Sequence, residues 1–437
     1  MKTTLNEKVK NLKIKKPSRP VWAVFKILAN ILYYKKCKVE IQSSVDMSKY
    51  KGKPLIVVGN HASRMDYAFT VFAIKGRRIN YVAAENEFHR DHLQFVFKLA
   101  HVIPKKNFYP DMTTIKGCTK ILKKSKEGTI ALFPCGMSTA TGAQQPSMLG
   151  TGKLIKHFGA HVLGLRIHGG YFVSPKFDVK ERYGKVIVEV FELFNPEQLK
   201  TLNEHQVQQM VDEAIYTDDY AWNKELQHSY KCRGDIAHNL HQLLYKCPAC
   251  GTEMQMEASG NTIVCKHCGN GATLDNKYNL VPLPGSRVPA NIKEWCDNQR
   301  RDIRRKILAD PNFAIEEHVQ LGLMRDYKYM TKKKVADIVG DGTLRMDKTG
   351  LTYTGTRNGQ PWTVHIRSEN INTICLPVDA SFFYTYAAEG EFLQFVPDQF
   401  SCMRWTNVVE EFHRVNGGKW QNYPWFDYEN DSPLIEG

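Results

Sequence analysis

Short apolar runs alternate with amphipathic segments through the first half of the chain. The run at residues 55–58 has the length of one buried strand and breaks at Gly59-Asn60, and apolar residues return at helical spacing behind Asp66. The same alternation predicts further strands at 79–83, 129–133, 161–167 and 185–191, and helices at 95–100, 113–125, 153–158 and 196–215. Such alternation indicates an α/β domain with a mostly parallel sheet, whose site lies at the strand ends.

The positive charge is concentrated at the start of the chain. The 437 residues carry a net charge of +15, and residues 1–38 hold eleven Lys and Arg against Glu7, or +10 of that total. A basic arm suits an anionic surface, either nucleic acid or the cytoplasmic leaflet of a membrane. Lysines and polar residues fill the start, so we expect no cleavable signal peptide.

A single apolar helix is predicted at residues 21–34. It is too short to cross a bilayer and is interrupted by Lys26. Its flanks carry lysines, and Trp22, Tyr33 and Tyr34 are residues typical of a membrane interface. A core helix is the alternative, and the basic arm favours a peripheral position on the cytoplasmic side of a membrane. The predicted apolar face consists of Val21, Val24, Phe25, Leu28 and Leu32.

A candidate catalytic pair follows the first strand. His61 lies in the turn and Asp66 comes five residues later, at the start of the predicted helix. A histidine acts as a general base near neutral pH when a carboxylate holds its ring in the required tautomer and orientation. The alternative is structural, because Ser63-x-x-Asp66 is close to a capping box.

Four segments resemble the motifs of the glycerolipid (lysophosphatidate-type) acyltransferase family. Asn60-His61-x-Ser63-x-x-Asp66 is similar to its first motif, NHxSxxD. The later segments match in order and spacing over about residues 20 to 225. They are 101–106, Phe133-Pro-x-Gly136 with Gly142 behind it, and 164–171 followed by 175–177.

The resemblance implies transfer of an acyl group without an enzyme nucleophile. His61 would take the proton of an acceptor hydroxyl that attacks an acyl thioester, and Asp66 would hold the ring. Backbone amides near Gly136 are expected to receive the oxyanion. The implied substrate-binding residues are Asn60, Ser63, Lys105, Lys106, Gly136 and Arg166.

The third motif departs from the family pattern. Cys135 and Ser138 stand where the family has the Glu and Arg that help to hold glycerol phosphate, and Met137 replaces Thr. Unless Lys105, Lys106 or Arg166 compensates, we expect an acceptor other than plain lysophosphatidate. Cys135 is either an acyl-carrying nucleophile or, as we prefer, small buried filler.

Two Cys-x-x-Cys-Gly sequences define a second module. Cys247, Cys250, Cys265 and Cys268 have the spacing of a closed tetrahedral site, which predicts a structural Zn²⁺ ion in a zinc ribbon. A redox dithiol is the alternative for one pair. The other seven cysteines are scattered, which indicates a reducing compartment without a disulfide framework. The segment at 247–276 has a net charge of −2, the wrong sign for nucleic acid.

The last part of the chain reads as short strands and one closing helix. From Gly342, strands are predicted at 344–346, 351–353, 362–366, 371–376, 382–386 and 392–395, and a helix at 405–415. This order resembles pleckstrin-homology (PH) and GRAM-like domains. Before it, 292–308 reads as a basic helix that either touches lipid headgroups or, as we prefer, has a merely solvated face.

The sequence therefore predicts an acyltransferase-type α/β domain followed by a zinc ribbon and a small β-rich, PH-like domain. The predicted function is transfer of a fatty acyl group from acyl-CoA or acyl carrier protein to a lysolipid hydroxyl at an anionic membrane surface. The alternative is a catalytically silent lipid- or acyl-carrier-binding scaffold. The regions are a basic arm and interfacial helix at 1–45, the acyltransferase-like domain at 46–230, the ribbon at 240–280, a helical linker at 281–340 and the PH/GRAM-like domain at 341–437.

Overall fold

A seven-stranded sheet organises the first half of the protein. The computed structural model describes residues 3–109, 111–331 and 335–418, so the ends of the predicted basic arm and C-terminal domain lie outside it. The strands have the spatial order β1-β8-β6-β2-β5-β3-β4, and all neighbours are parallel except β6 and β8. The mostly parallel α/β sheet is thus confirmed. Its strands are β1 Val39–Ser43, β2 Leu55–Gly59, β3 Asn80–Ala84, β4 Ile103–Lys105, β5 Thr129–Leu132, β6 His161–His168 and β8 Val186–Phe194.

Helices and short turns pack around this sheet. The helix predicted at 196–215 is two helices, because Asn203 caps the second through its side chain and a capping box. The helices of this half are α1 Leu5–Lys10, α2 Arg19–Ala29, α3 Asp66–Phe69, α4 Asp91–Ala100, α5 Met112–Leu122, α6 Thr151–Phe158, α7 Gly170–Val173, α8 Pro196–Thr201, α9 Glu204–Ala214 and α10 Asp219–Leu226.

The N-terminal helix exposes an apolar face, but one that differs from the predicted face. Trp22 is buried, and the half-buried Phe25 packs against the buried cluster that contains Phe88, so neither side chain belongs to the exposed apolar face. The helix α2 continues as one π-helical turn, Asn30–Tyr34. Among the described residues, no helix is long and apolar enough to cross a membrane. The exposed apolar side chains are Val24, Ile27, Leu28, Ile31 and Leu32, with Phe95 and Leu99 on the contacting α4.

A small antiparallel sheet follows the α/β domain. The strands β10 Met256–Ser259, β11 Thr262–Cys265, β12 Gly271–Leu274 and β13 Leu280–Pro282 pair in sequence order. Two very short strands, β7 Arg182–Tyr183 and β9 Lys231–Cys232, tie the α/β domain to the segment that leads into this sheet.

The C-terminal domain is a six-stranded antiparallel sheet closed by a helix. Its strand order is β17-β16-β15-β14-β19-β18. Because β14 lies in the middle of this sheet, the region predicted as a helical linker at 281–340 is only partly a linker. The predicted strand at 371–376 is also wrong, since only Cys375 forms a bridge, to Tyr384. The elements are α11 Ile292–Ala309, β14 Ile315–Leu323, β15 Asp337–Asp347, β16 Gly350–Arg357, β17 Gln360–Arg367, β18 Phe383–Tyr386, β19 Phe392–Pro397 and α12 Cys402–Val415.

The basic helix α11 packs against α12 through buried ion pairs. Arg300 is 4% exposed and donates to the carboxylates of Glu410 and Glu411, which are themselves buried. Arg304 also contacts Glu411, at 3.4 Å. The expectation of a merely solvated basic face is therefore wrong for the side of α11 that carries Arg300.

We predict that Arg300→Ala destabilises the protein strongly. Removing one partner of a buried ion pair leaves the other charges uncompensated, which costs roughly 3–5 kcal/mol. Arg305→Ala, on the exposed face of the same helix, should stay within about 0.5 kcal/mol of the native protein. Denaturant unfolding of the two variants measures the difference. Equal stabilities would contradict the structural role of Arg300.

Candidate active site

His61 and Asp66 meet at the carboxyl end of the central strand β2. The Nδ1 atom of His61 lies 2.8 Å from Oδ2 of Asp66, whose side chain is 1% exposed. The imidazole side chain is 22% exposed and stacks on Phe133 with ring centroids 5.1 Å apart. The carboxylate thus holds one ring nitrogen while the other side of the ring remains partly accessible. This is the arrangement of an oriented general base.

Asp66 also closes the turn that precedes α3. Its carboxylate accepts hydrogen bonds from the backbone N–H of Ser63, at 3.1 Å, and from the Ser63 hydroxyl, at 3.0 Å. The catalytic and the capping-type interpretations of Asp66 therefore share one geometry. Burial raises the pKa of the Asp66 carboxyl, and the hydrogen bonds from His61 and Ser63 oppose that rise.

Asn60 fixes the place where His61 leaves the sheet. Its side-chain N–H groups donate to the carbonyl of Ile167 at 2.9 Å and to the hydroxyl of Thr217 at 2.8 Å, and its Oδ1 accepts from the Ile167 N–H at 2.7 Å. Both amide hydrogens are used inside the protein. Asn60 and Ser63, predicted to bind substrate, are therefore placed as positioning residues.

Gly170 allows the next loop to approach the pair closely. A Cβ atom at this position would lie 2.8 Å from the Cβ of Ala62 and 3.5 Å from Oδ1 of Asp66. The loop is anchored by Asp219, whose carboxylate accepts from the N–H groups of Gly169 and Tyr171. The backbone at Gly170 therefore packs close to Asp66, which is buried.

The loop at 133–139 forms the wall beside His61. The Thr139 N–H donates to the His61 carbonyl at 2.9 Å. The Gly136 N–H donates to the Phe133 carbonyl within its own turn, at 3.1 Å. The expectation that amides near Gly136 receive the oxyanion therefore stays a prediction about the neighbouring amides of this loop. Burial raises the pKa of the Cys135 thiol to about 12, which supports the filler interpretation over a nucleophile.

The three basic residues expected to contact substrate have partners within the protein. Lys105 Nζ donates to the carbonyls of Lys106 and Tyr109, and Lys106 Nζ donates to the carbonyl of Gly390 at 2.9 Å. Arg166 bonds Ala214 O at 2.7 Å and Glu189 at 3.1 Å, on the side of β6 that faces α9 and β8. The structure therefore does not bring Arg166 to His61.

The sequence analysis placed residues 175–177 in the last family-like segment but gave Lys176 no role, although this basic residue lies beside the 133–139 loop. Lys176 is 5% exposed, and its Nζ lies 3.3 Å from the hydroxyl of Ser138. The available signal was its position between Pro175 and Phe177 at the end of a buried apolar stretch.

The four predicted metal ligands form a separate cluster. Their sulfur atoms lie within 4.8 Å of one another, and the Cys247–Cys268 and Cys250–Cys265 sulfur pairs are 3.6 and 3.8 Å apart. A tetrahedral Zn²⁺ with Zn–S bonds of about 2.3 Å requires sulfurs about 3.8 Å apart. Gly251 and Gly269 have positive φ after each pair, as the tight turns require. The cluster can hold a metal ion.

Comparison with known proteins finds a family model that is similar to part of the chain. Residues 38–168 match the family model described as Acyltransferase, and this range contains His61, Asp66 and the 133–139 loop. The match supports an acyltransferase domain. A solved structure, the 1-acyl-sn-glycerophosphate (LPA) acyltransferase PlsC from Thermotoga maritima, is 17% identical over 51% of this chain and 87% of that chain, with a TM-score of 0.37. No curated protein matches the chain.

Proposed function

We propose that the protein is an O-acyltransferase that moves a fatty acyl group from a thioester, acyl-CoA or acyl carrier protein, to a hydroxyl of a lysophospholipid or related acceptor. The observation that carries the proposal is the His61–Asp66 hydrogen bond at the end of β2, within the range that matches the acyltransferase family. This activity belongs to phospholipid biosynthesis or remodelling.

The reaction uses His61 twice. Its free ring nitrogen takes the proton as the acceptor oxygen attacks the thioester carbonyl carbon, and Asp66 stabilises the imidazolium. The tetrahedral intermediate then collapses, the C–S bond breaks, and the imidazolium returns the proton to the leaving thiolate. An ester and a free thiol are the products.

A catalytically silent scaffold is the second candidate. It is favoured by two observations: the Gly136 amide is used within its own turn, and Lys106 is bonded to Gly390 of the C-terminal domain. Both candidates bind lipid, but only the enzyme depends on the proton-accepting nitrogen of His61. Turnover therefore separates them.

The membrane is the proposed site of action. The exposed apolar side chains of α2 and the adjoining π turn lie next to Lys35, Lys36 and Lys38, which are exposed. Apolar contact combined with basic flanks is typical of a helix in the interface of an anionic leaflet. In this proposal the protein binds peripherally to the cytoplasmic face of the membrane.

The cysteine cluster is proposed to hold one structural Zn²⁺. Four thiolates leave no open coordination position, so the ion would stabilise the β10–β13 sheet and take no part in acyl transfer. The PH/GRAM-like assignment of the C-terminal domain rests only on a sheet closed by a helix, and no ligand follows from it.

We predict that His61→Ala reduces acyl transfer by roughly 10²–10⁴-fold, because the general base is lost. Asp66→Asn should lose a large part of the rate. If Asp66 serves only the turn, its substitution instead costs about 1 kcal/mol of stability with activity kept. His205→Ala, an exposed histidine on α9, is the control. Labelled acyl thioester and a lipid extract supply the assay, and full activity in His61→Ala contradicts the enzymatic proposal.

Membrane binding should depend on the exposed apolar face. Each isoleucine contributes roughly 1.5–3 kcal/mol when buried, so Ile27→Glu/Ile31→Glu should weaken partitioning at least about a hundredfold. Leu308→Glu, at an equally exposed leucine on α11, should bind normally. Flotation with phosphatidylcholine–phosphatidylserine vesicles provides the measurement. Unchanged vesicle binding by the double variant would show that α2 does not contact the membrane.

Protein purified without chelators should contain one zinc per chain by elemental analysis. Cys250→Ser should lose the metal and lower the melting temperature, because metal binding contributes to folding. Cys232→Ser, a partly buried cysteine outside the cluster, should keep the zinc. A disulfide between the pairs, or the absence of zinc, would contradict the proposal.

A further inference from the structure

Lys176 lies on a loop that is fixed at both ends. The Arg64 Nε donates to the hydroxyl of Ser174 at 3.1 Å, and Asp178 pairs with the fully buried Arg182 at 3.0 Å. Phe177 is also fully buried. The lysine side chain is therefore held inside the protein by a rigid loop.

The ammonium group forms no salt bridge among the described residues, and the carboxylates of Glu87 and Asp379 act on it only from beyond salt-bridge distance. Its one hydrogen bond among those residues is to the neutral hydroxyl of Ser138. The two nearby thiols, of Cys135 and Cys375, stay protonated because burial raises the pKa of each to about 12. A buried charge without a salt-bridge partner is costly, and an anion bound beside it would offset that cost.

The position of Lys176 links it to the catalytic pair. Ser138 precedes Thr139, whose N–H is bonded to the carbonyl of His61. The opposite wall is the C-terminal domain, where Cys375 bridges Tyr384 and the Tyr384 hydroxyl contacts Asn86 at 3.3 Å. An anion at Lys176 would therefore lie between the two domains, beside the loop that holds His61.

We propose that Lys176 binds the phosphate group of the acceptor, which makes the acceptor an anionic lysolipid. This inference rests on the proposed acyl transfer and names the headgroup that transfer would use. It also replaces the expectation of a less anionic acceptor, because that expectation considered only Lys105, Lys106 and Arg166 as sources of positive charge. Lys176 supplies the charge from a different loop.

Equilibrium binding tests the assignment without any acyl donor. The probes are hexanoyl-glycerol 3-phosphate and hexanoylglycerol, which differ only in the phosphate. The native protein should bind the phosphorylated probe at least about tenfold more tightly, since a charge-assisted hydrogen bond to phosphate is among the strong ones. Lys176→Met should lose this preference. Lys156→Met, which removes a lysine bonded to the carbonyls of Leu199 and Leu202, should keep it.

The outcomes separate this inference from the proposed function. An unchanged phosphate preference in Lys176→Met, or no preference in the native protein, overturns the assignment even if acyl transfer is observed. A preference that depends on Lys176 in a protein without turnover removes the enzymatic proposal and keeps the phosphate site. Coenzyme A is the third probe. If Lys176→Met weakens coenzyme A binding and leaves the phosphorylated lipid unaffected, the phosphate belongs to the donor and the assignment is wrong.

Thermal stability distinguishes a binding lysine from a structural one. Lys176→Met should raise the melting temperature at pH 7, because an unpaired charge is replaced by an apolar side chain of similar length. Burial lowers the pKa of Lys176 to about 8, with Ser138, Cys135, Cys375, Glu87 and Asp379 around it. The destabilisation caused by the buried ammonium group is therefore complete below pH 8. It declines between pH 8 and pH 10.5, the ordinary pKa of a lysine, because the folded protein then holds the neutral amine. The advantage of the variant should decline in the same range, and a lower melting temperature at pH 7 would show a structural role.

Discussion

The hydrogen bonds of the Asn60 side chain determine where the candidate catalytic pair, His61 and Asp66, is placed. The strand β2 lies at the centre of the sheet and is fully buried, so the chain must leave it in a region with little water. Buried backbone groups have to be paired. The Asn60 amide pairs with both the N–H and the carbonyl of Ile167 and thereby ties the end of β2 to β6. His61 comes directly after Asn60, so its backbone starts from a position that these hydrogen bonds hold. The N–H and the carbonyl of His61 are both hydrogen-bonded to the 139–144 segment.

The sequence was sufficient to predict the features that depend on local pattern. Buried strands are short apolar runs, so β2, β5 and β6 were predicted to within about two residues, and the spacing of His61 and Asp66 predicted their pairing. The glycine after each Cys-x-x-Cys pair likewise indicated a tight turn that the structure shows. These features are encoded within a few neighbouring residues, and long-range contacts do not alter them.

The features that were missed depend on residues far apart in the chain. A lysine has a long side chain, and nothing near Lys106 in the sequence indicates that its partner is the carbonyl of Gly390. The same holds for Arg300, whose carboxylate partners lie about a hundred residues later. The strand β14 was missed because its neighbours in the sheet, β15 and β19, are what make it a strand. Pairing across long separations is a property of the folded chain and leaves little trace in the local pattern.

The domains meet over a continuous core, which changes how the site is understood. One cluster of buried apolar side chains extends from the α/β sheet through the cysteine-bearing sheet to α12. The C-terminal domain is therefore a wall of the site: Tyr384 contacts Asn86, and the carbonyl of Gly390 holds Lys106. A headgroup bound at Lys176, as proposed, would lie between this wall and the 133–139 loop. Because the wall comes from a domain outside the range that matches the acyltransferase family, we expect acceptor selection in the proposed reaction to depend on the C-terminal domain as much as on the 133–139 loop.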